Sequence, residues 1–114
     1  MNDEFLDYIE DILDAMDKAE ILIQGLAYGQ FEADFRTNFA VIRALEIIGE
    51  ATRRLPMDLR SQYPDIPWKE MAGMRDRIIH GYDVVNLQLV WDTVTQRIPA
   101  VKPLIQQILA EHKE

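Results

Sequence analysis

Apolar residues return every three or four positions along almost the whole chain, and that periodicity restricts it to a packing of helices. Phe5, Ile9, Ile12, Met16, Ala19, Ile23 and Leu26 form one such stripe, which predicts a long first helix with a single buried face. Asp3, Asp7, Asp11 and Asp14 fall largely outside the stripe, where water solvates them. Asn2 or Asp3 is suited to cap the start, and Gly25 and Gly29 fall around the expected end. A second long helix is expected over about 36–55. Phe39, Ile42, Leu45, Ile48 and Leu55 mark its inward side, and Pro56 stops it. Val41, Ile42, Ile47 and Ile48 cover more than one narrow stripe, so this helix is expected to bury two sides, one of them against another subunit.

Leu59 and Tyr63 anchor a short helical turn, followed by the stiff connection Tyr63-Pro64-Asp65-Ile66-Pro67-Trp68. A further helix is expected from Trp68 to His80, with Trp68, Met71, Met74 and Ile78 inward and Gly81 ending it. Asn86 caps the next helix, which buries Leu87, Val90, Trp91, Val94 and Ile98. Pro99 or Pro103 is expected to break or restart the last element, whose apolar side is Val101, Leu104, Ile105, Ile108 and Leu109. The fold class is therefore all-α: one domain over residues 1–114, four main helices plus short helical turns, and surplus apolar surface that predicts a homodimer.

Composition removes several kinds of chemistry. There is no cysteine, hence no disulfide, thiol nucleophile or thiolate metal site. With no signal peptide and no long uncharged apolar run, a cytoplasmic protein with no membrane association is expected. The net charge of -8 argues against a general nucleic-acid coat, but the charge is uneven. Residues 1–35 carry ten acids and one base, whereas residues 36–77 carry eight bases and six acids. A basic patch can therefore face a phosphate on an acidic protein.

The densest chemistry is Arg75-Asp76-Arg77-Ile78-Ile79-His80-Gly81-Tyr82. Asp76 and His80 are four apart and share a helical face, where the carboxylate can fix the imidazole tautomer or stabilise its charged form. Arg77 is three residues from His80. Arg75 is five away, about 140° around an ideal helix, within reach of a phosphate held beside the imidazole. These side chains suit RNA cleavage without a metal. His80 moves a proton, Arg75 stabilises charge on the phosphoryl oxygens, Asp76 and Arg77 orient or support, and Tyr82 stacks on a base or bonds to sugar or phosphate. One imidazole per subunit leaves one proton-transfer role unfilled, which a partner subunit can supply. The plainer account of Arg75, Asp76 and Arg77 is an ordinary ion-pair face, with His80 a helix-end residue. No glycine-rich phosphate loop and no histidine–carboxylate metal signature is present. For Glu46 and Glu50, salt bridges to Arg43, Arg53 or Arg54 are more economical than a metal.

Arg75, four residues and His80 match the arginine–histidine motif of the HEPN superfamily, and His80-Gly81-Tyr82 matches its toxin extension. With Ile66-Pro67-Trp68-Lys69-Glu70-Met71-Ala72-Gly73-Met74-Arg75 and Arg43-Ala44-Leu45-Glu46-Ile47-Ile48-Gly49-Glu50-Ala51, the chain resembles the small HepT-like toxins of that superfamily along nearly its whole length. The resemblance implies a helical homodimer that joins two motifs in one cleft. It also implies a metal-independent endoribonuclease with no cofactor for cleavage. The implied partner is a minimal nucleotidyltransferase antitoxin, which uses ATP to add AMP to Tyr82. The competing expectation is a non-catalytic helical subunit that binds nucleotides or holds the nucleotidyltransferase.

Overall fold

In a computed structural model the chain is described over residues 4–78 and 85–112. Asn2, Asp3, His80, Gly81 and Tyr82 lie outside the described residues. Every regular element longer than an isolated bridge is helical among those described: α1 (Phe5–Ile23), α2 (Tyr28–Ala33), α3 (Phe35–Arg53), α4 (Met57–Gln62), α5 (Trp68–Ala72), α6 (Met74–Ile78), α7 (Leu87–Asp92), a π-helical turn (Thr93–Arg97) and α8 (Ile98–His112). None of these helices is long and apolar enough to cross a membrane.

The first stripe packs as its spacing dictates. Ile9, Ile12, Ala15, Met16, Ala19 and Ile23 are buried against α3 and α8, while Asp7, Asp11, Asp14 and Asp17 stay in water. Helix α1 ends at Ile23, and Gly25 takes a φ of 79°, the left-handed conformation that only glycine adopts without strain. Helix α3 begins one residue before the expected start, because Asp34 caps it by accepting bonds from the Arg36 and Thr37 amides. The Thr37 hydroxyl donates to the other carboxylate oxygen at 2.9 Å, and this bond is the main reason the Asp34 carboxyl sits below its usual range. Buried Asn38 donates to the carbonyls of Phe31 and Glu32, tying α2 to α3.

Lys102 on α8 reaches back to α1, where Asp17 and Glu20 accept its ammonium protons at 2.5 and 2.7 Å. Buried Trp68 donates its indole N–H to the carbonyls of Arg60 and Tyr63, so the proline-rich connection is pinned as well as stiff. Tyr63 in turn contacts the end of α8, with its hydroxyl 3.2 Å from Glu111 Oε2 and from His112 Nε2.

Four expectations change. The helix expected over Trp68–His80 is broken at Gly73 into two five-residue helices, and the described part ends at Ile78. Four main helices therefore do not describe the bundle: two long helices and one composite helix are joined by short ones. Neither Pro99 nor Pro103 breaks the last element, which runs from Leu87 to His112. The π turn opens the hydrogen-bond register just ahead of Pro99, with the Ile98 N–H reaching Thr93 O five residues back. The Thr93 and Thr95 hydroxyls bond the carbonyls of Leu89 and Trp91 at 2.7 and 2.8 Å. Packing of Val101, Ile105 and Ile108 in the core carries the helix past Pro103. Finally, Phe39 does not face inward: it is 68% exposed, beside Phe35 at 63%.

Candidate functional site

Close approach of backbones positions the motif. A β-carbon added at Gly49 on α3 would stand 3.2 Å from Met71 O and 3.5 Å from Ala72 O. The absent side chain thus lets α3 lie directly against the α5–α6 junction. Buried Ile48 on α3 and Met71 and Ile78 on the short helices fill the space around this contact.

The approach brings two acid–base pairs together across the helices. Arg75 donates from Nε to Glu46 Oε2 at 3.2 Å. The arginine side chain remains 59% exposed and the carboxylate only 21%, so α3 holds the guanidinium at the surface by one edge. Among the described residues its terminal nitrogens have no protein partner, which suits them to two phosphoryl oxygens. About two turns further along α3, Arg53 lies 3.8 Å from Asp76. On the other side of α6, Glu70 pairs with both Arg77, at 3.8 Å, and Arg97 of the π turn.

Of the sequence-predicted site residues, Arg75, Asp76 and Arg77 are therefore all on α6, spread around it rather than gathered. Arg75 and Asp76 pair with residues of α3, and Arg77 pairs with Glu70 of α5. His80 and Tyr82 lie outside the described residues, so their distances to Arg75 and Asp76 are not part of this geometry. Arg43 bonds Glu50 at 3.3 Å as expected, but Glu46 takes Arg75 rather than Arg43, Arg53 or Arg54. Sequence reasoning missed the Arg75–Glu46 and Arg97–Glu70 pairs, whose members are 29 and 27 residues apart. The only local signal was Glu46 standing on the same helical side as Phe35, Phe39 and Ile42. No group of three or more His, Cys, Asp or Glu side chains among the described residues is arranged to hold a metal ion.

The fold and its surface arginine define a small helical protein with an exposed cationic edge. The family follows from comparison. The family described as ribonuclease HepT-like matches residues 12–108, and the chain belongs to it. It is 44% identical over 102 residues to "Probable ribonuclease HepT" of Thermococcus cleftensis, covering 90% of this chain and 93% of that protein. Two relatives carrying provisional RNase names are similar over comparable spans. One, from Methanocaldococcus jannaschii, is 40% identical over 94% of this chain and 92% of its own length. The other, from Caldanaerobacter subterraneus, is 38% identical over 93% of this chain and 95% of its own length. No solved structure matches the chain.

Proposed function

We propose that this protein is a metal-independent endoribonuclease, the toxin of a toxin–antitoxin pair, working in the cytoplasm as a homodimer. The observation that carries the reading is Arg75. Glu46 holds it by Nε at the surface of α6, with its side chain more than half exposed, five residues before the histidine of the family motif. In the reaction the RNA 2′ oxygen bonds to the adjacent phosphorus and the P–O5′ bond breaks. A 2′,3′-cyclic phosphate remains on one product, and the departing 5′ oxygen takes a proton. His80 moves protons in this exchange, Arg75 neutralises charge on the phosphoryl oxygens, and Asp76 and Arg77 support them.

The exposed rings of Phe35 and Phe39 pack edge to face with centroids 6.1 Å apart. They lie on the same side of α3 as Glu46, at spacings of four, three and four residues through Ile42. A twofold partner covering this apolar patch sets its own motif next to the first, which supplies the second imidazole that one chain lacks.

The antitoxin partner is a minimal nucleotidyltransferase. It transfers AMP from ATP to the Tyr82 hydroxyl with release of pyrophosphate, adding a negative phosphate two residues from His80 that repels the RNA backbone.

The decisive measurement is digestion of RNA by unmodified protein in EDTA, with His80→Ala and Arg75→Ala as controls. Cleavage to cyclic-phosphate ends by the wild type, lost in both variants, is the expected outcome. Retained cleavage in a folded His80→Ala dimer overturns the mechanism. No cleavage by verified unmodified protein, together with tight binding to the nucleotidyltransferase, favours the non-catalytic binding subunit instead.

A further inference from the structure

The face of α6 opposite Arg75 closes over a cavity of about 240 Å³ between α3, the α5–α6 pair and the composite helix. Its walls are apolar: Met16, Ile48, Met71, Met74 and Leu89. The polar groups come from three elements: Asp92, Thr93, Gln96 and Arg97 from the composite helix, Glu70 from α5 and Arg77 from α6. Within this set two guanidinium groups balance two carboxylates, so the pocket has no net charge to draw in a free anion. It offers flexible thioether and aliphatic walls, guanidinium planes and a short row of hydrogen-bonding groups. The volume falls below the roughly 300–1,000 Å³ of pockets that enclose drug-sized ligands. A neutral, planar, polar-edged heterocycle meets all of these conditions.

The geometry points to a nucleobase pocket: one unstacked base of the RNA enters between α6 and the composite helix, on the side of α6 away from Arg75. This deepens, and rests on, the ribonuclease reading of the same helix. A single-stranded base that swings out of its stack into such a pocket is read by its hydrogen-bonding edge. Asp92 determines which edge. Its Oδ1 already accepts a bond from Gln88 Nε2 at 2.9 Å, and the carboxylate has acceptor capacity left. An acceptor at that position favours guanine, adenine and cytosine, which offer an exocyclic amino group, over uracil, whose one edge donor is its ring N3–H. Glu70 holds the lip together: it pairs with Arg77 from α6 and Arg97 from the π turn, so both guanidiniums stay at the mouth instead of folding away.

Two measurements on the full-length protein test this. In the first, guanosine, adenosine, cytidine and uridine are titrated separately into ¹⁵N-labelled protein. The amides of Leu89, Thr93 and Gln96 should shift with one or more of the amino-bearing nucleosides, and the exposed-site plug Gln96→Trp should abolish the shifts. The absence of shifts at those amides with all four nucleosides overturns the pocket, whether or not the protein cleaves RNA. In the second, a mixed set of short RNAs is cleaved and the ends are sequenced. The wild type should show roughly tenfold discrimination against uridine at one position flanking the cut. Gln96→Trp should flatten it, and Asp92→Asn, which adds a donor, should shift it towards uridine. A preference unchanged in both variants overturns the specificity role. An uncleaved RNA set refutes the ribonuclease reading and with it the specificity role, while the titration still decides base binding on its own.

Discussion

Arg75 Nε sits 3.2 Å from Glu46 Oε2, so the motif arginine is oriented by a carboxylate on a different helix, 29 residues earlier in the chain. That contact occupies one edge of the guanidinium and leaves the other for a phosphate. Since the arginine is more than half exposed, the pair contributes little to stability, on the order of 0–1 kcal/mol. Glu46→Gln should therefore leave the melting temperature nearly unchanged. It should lower kcat for RNA cleavage roughly tenfold, because a loosely held guanidinium spends less time against the phosphoryl oxygens. Unchanged kcat, measured beside the thermal melt, would remove Glu46 from the positioning of Arg75.

Gly49 sets the distance between α3 and the motif helix. A larger side chain there meets the carbonyl oxygens of Met71 and Ala72, backbone atoms that cannot rotate aside. Gly49→Leu should destabilise the fold by about 1–3 kcal/mol in urea titration, the usual cost of overpacking, in spite of leucine's better helix propensity. Cleavage should fall further than the loss of folded protein explains, because Arg75 moves with α6.

In the proposed dimer the Phe35–Phe39 patch is the interface. Phe39→Asp places a charge where the partner's apolar surface should pack, while in the single chain the ring is already 68% exposed. The variant should sediment as a folded monomer with native helical circular dichroism and little cleavage. A Phe39→Asp protein that still sediments as a dimer would locate the interface elsewhere.

Lys102 links α8 to α1 through Asp17 and Glu20. Its hydrogen bonds to Asp17 and then Glu20 raise its pKa above the ordinary 10.5. Because the folded value lies above the unfolded one, the stabilisation is fully present below about pH 10.5 and disappears as pH rises through the folded value. The melting-temperature gap between wild type and Lys102→Met should hold steady from neutral pH to about pH 10 and close at higher pH. A gap that persists through strongly alkaline pH would show that Lys102 acts by its packing alone.

The sequence by itself determined the helices and most of the core. The stripe from Ile9 to Ile23 is buried as its period requires, and Val90, Val94, Ile98, Val101, Ile105 and Ile108 are buried along the composite helix. These are local facts: a helix has one periodicity, and its apolar side must leave water wherever the neighbours lie. The motif residues Arg75, Asp76 and Arg77 were also legible, because their chemistry and spacing are written within one short segment. Only the tertiary structure decided what each of them faces. Glu46 and Glu70 become partners of Arg75 and Arg97 because α3 and the π turn pack against the short helices, and sequence spacing carries no information about pairs 29 and 27 residues apart. The break at Gly73 and the passage of one helix through Pro99 and Pro103 belong to the same class. Local preference forecast an unbroken helix in the first case and a broken one in the second. Packing against α3 and α1, together with a π turn that resets the hydrogen-bond register, reversed both.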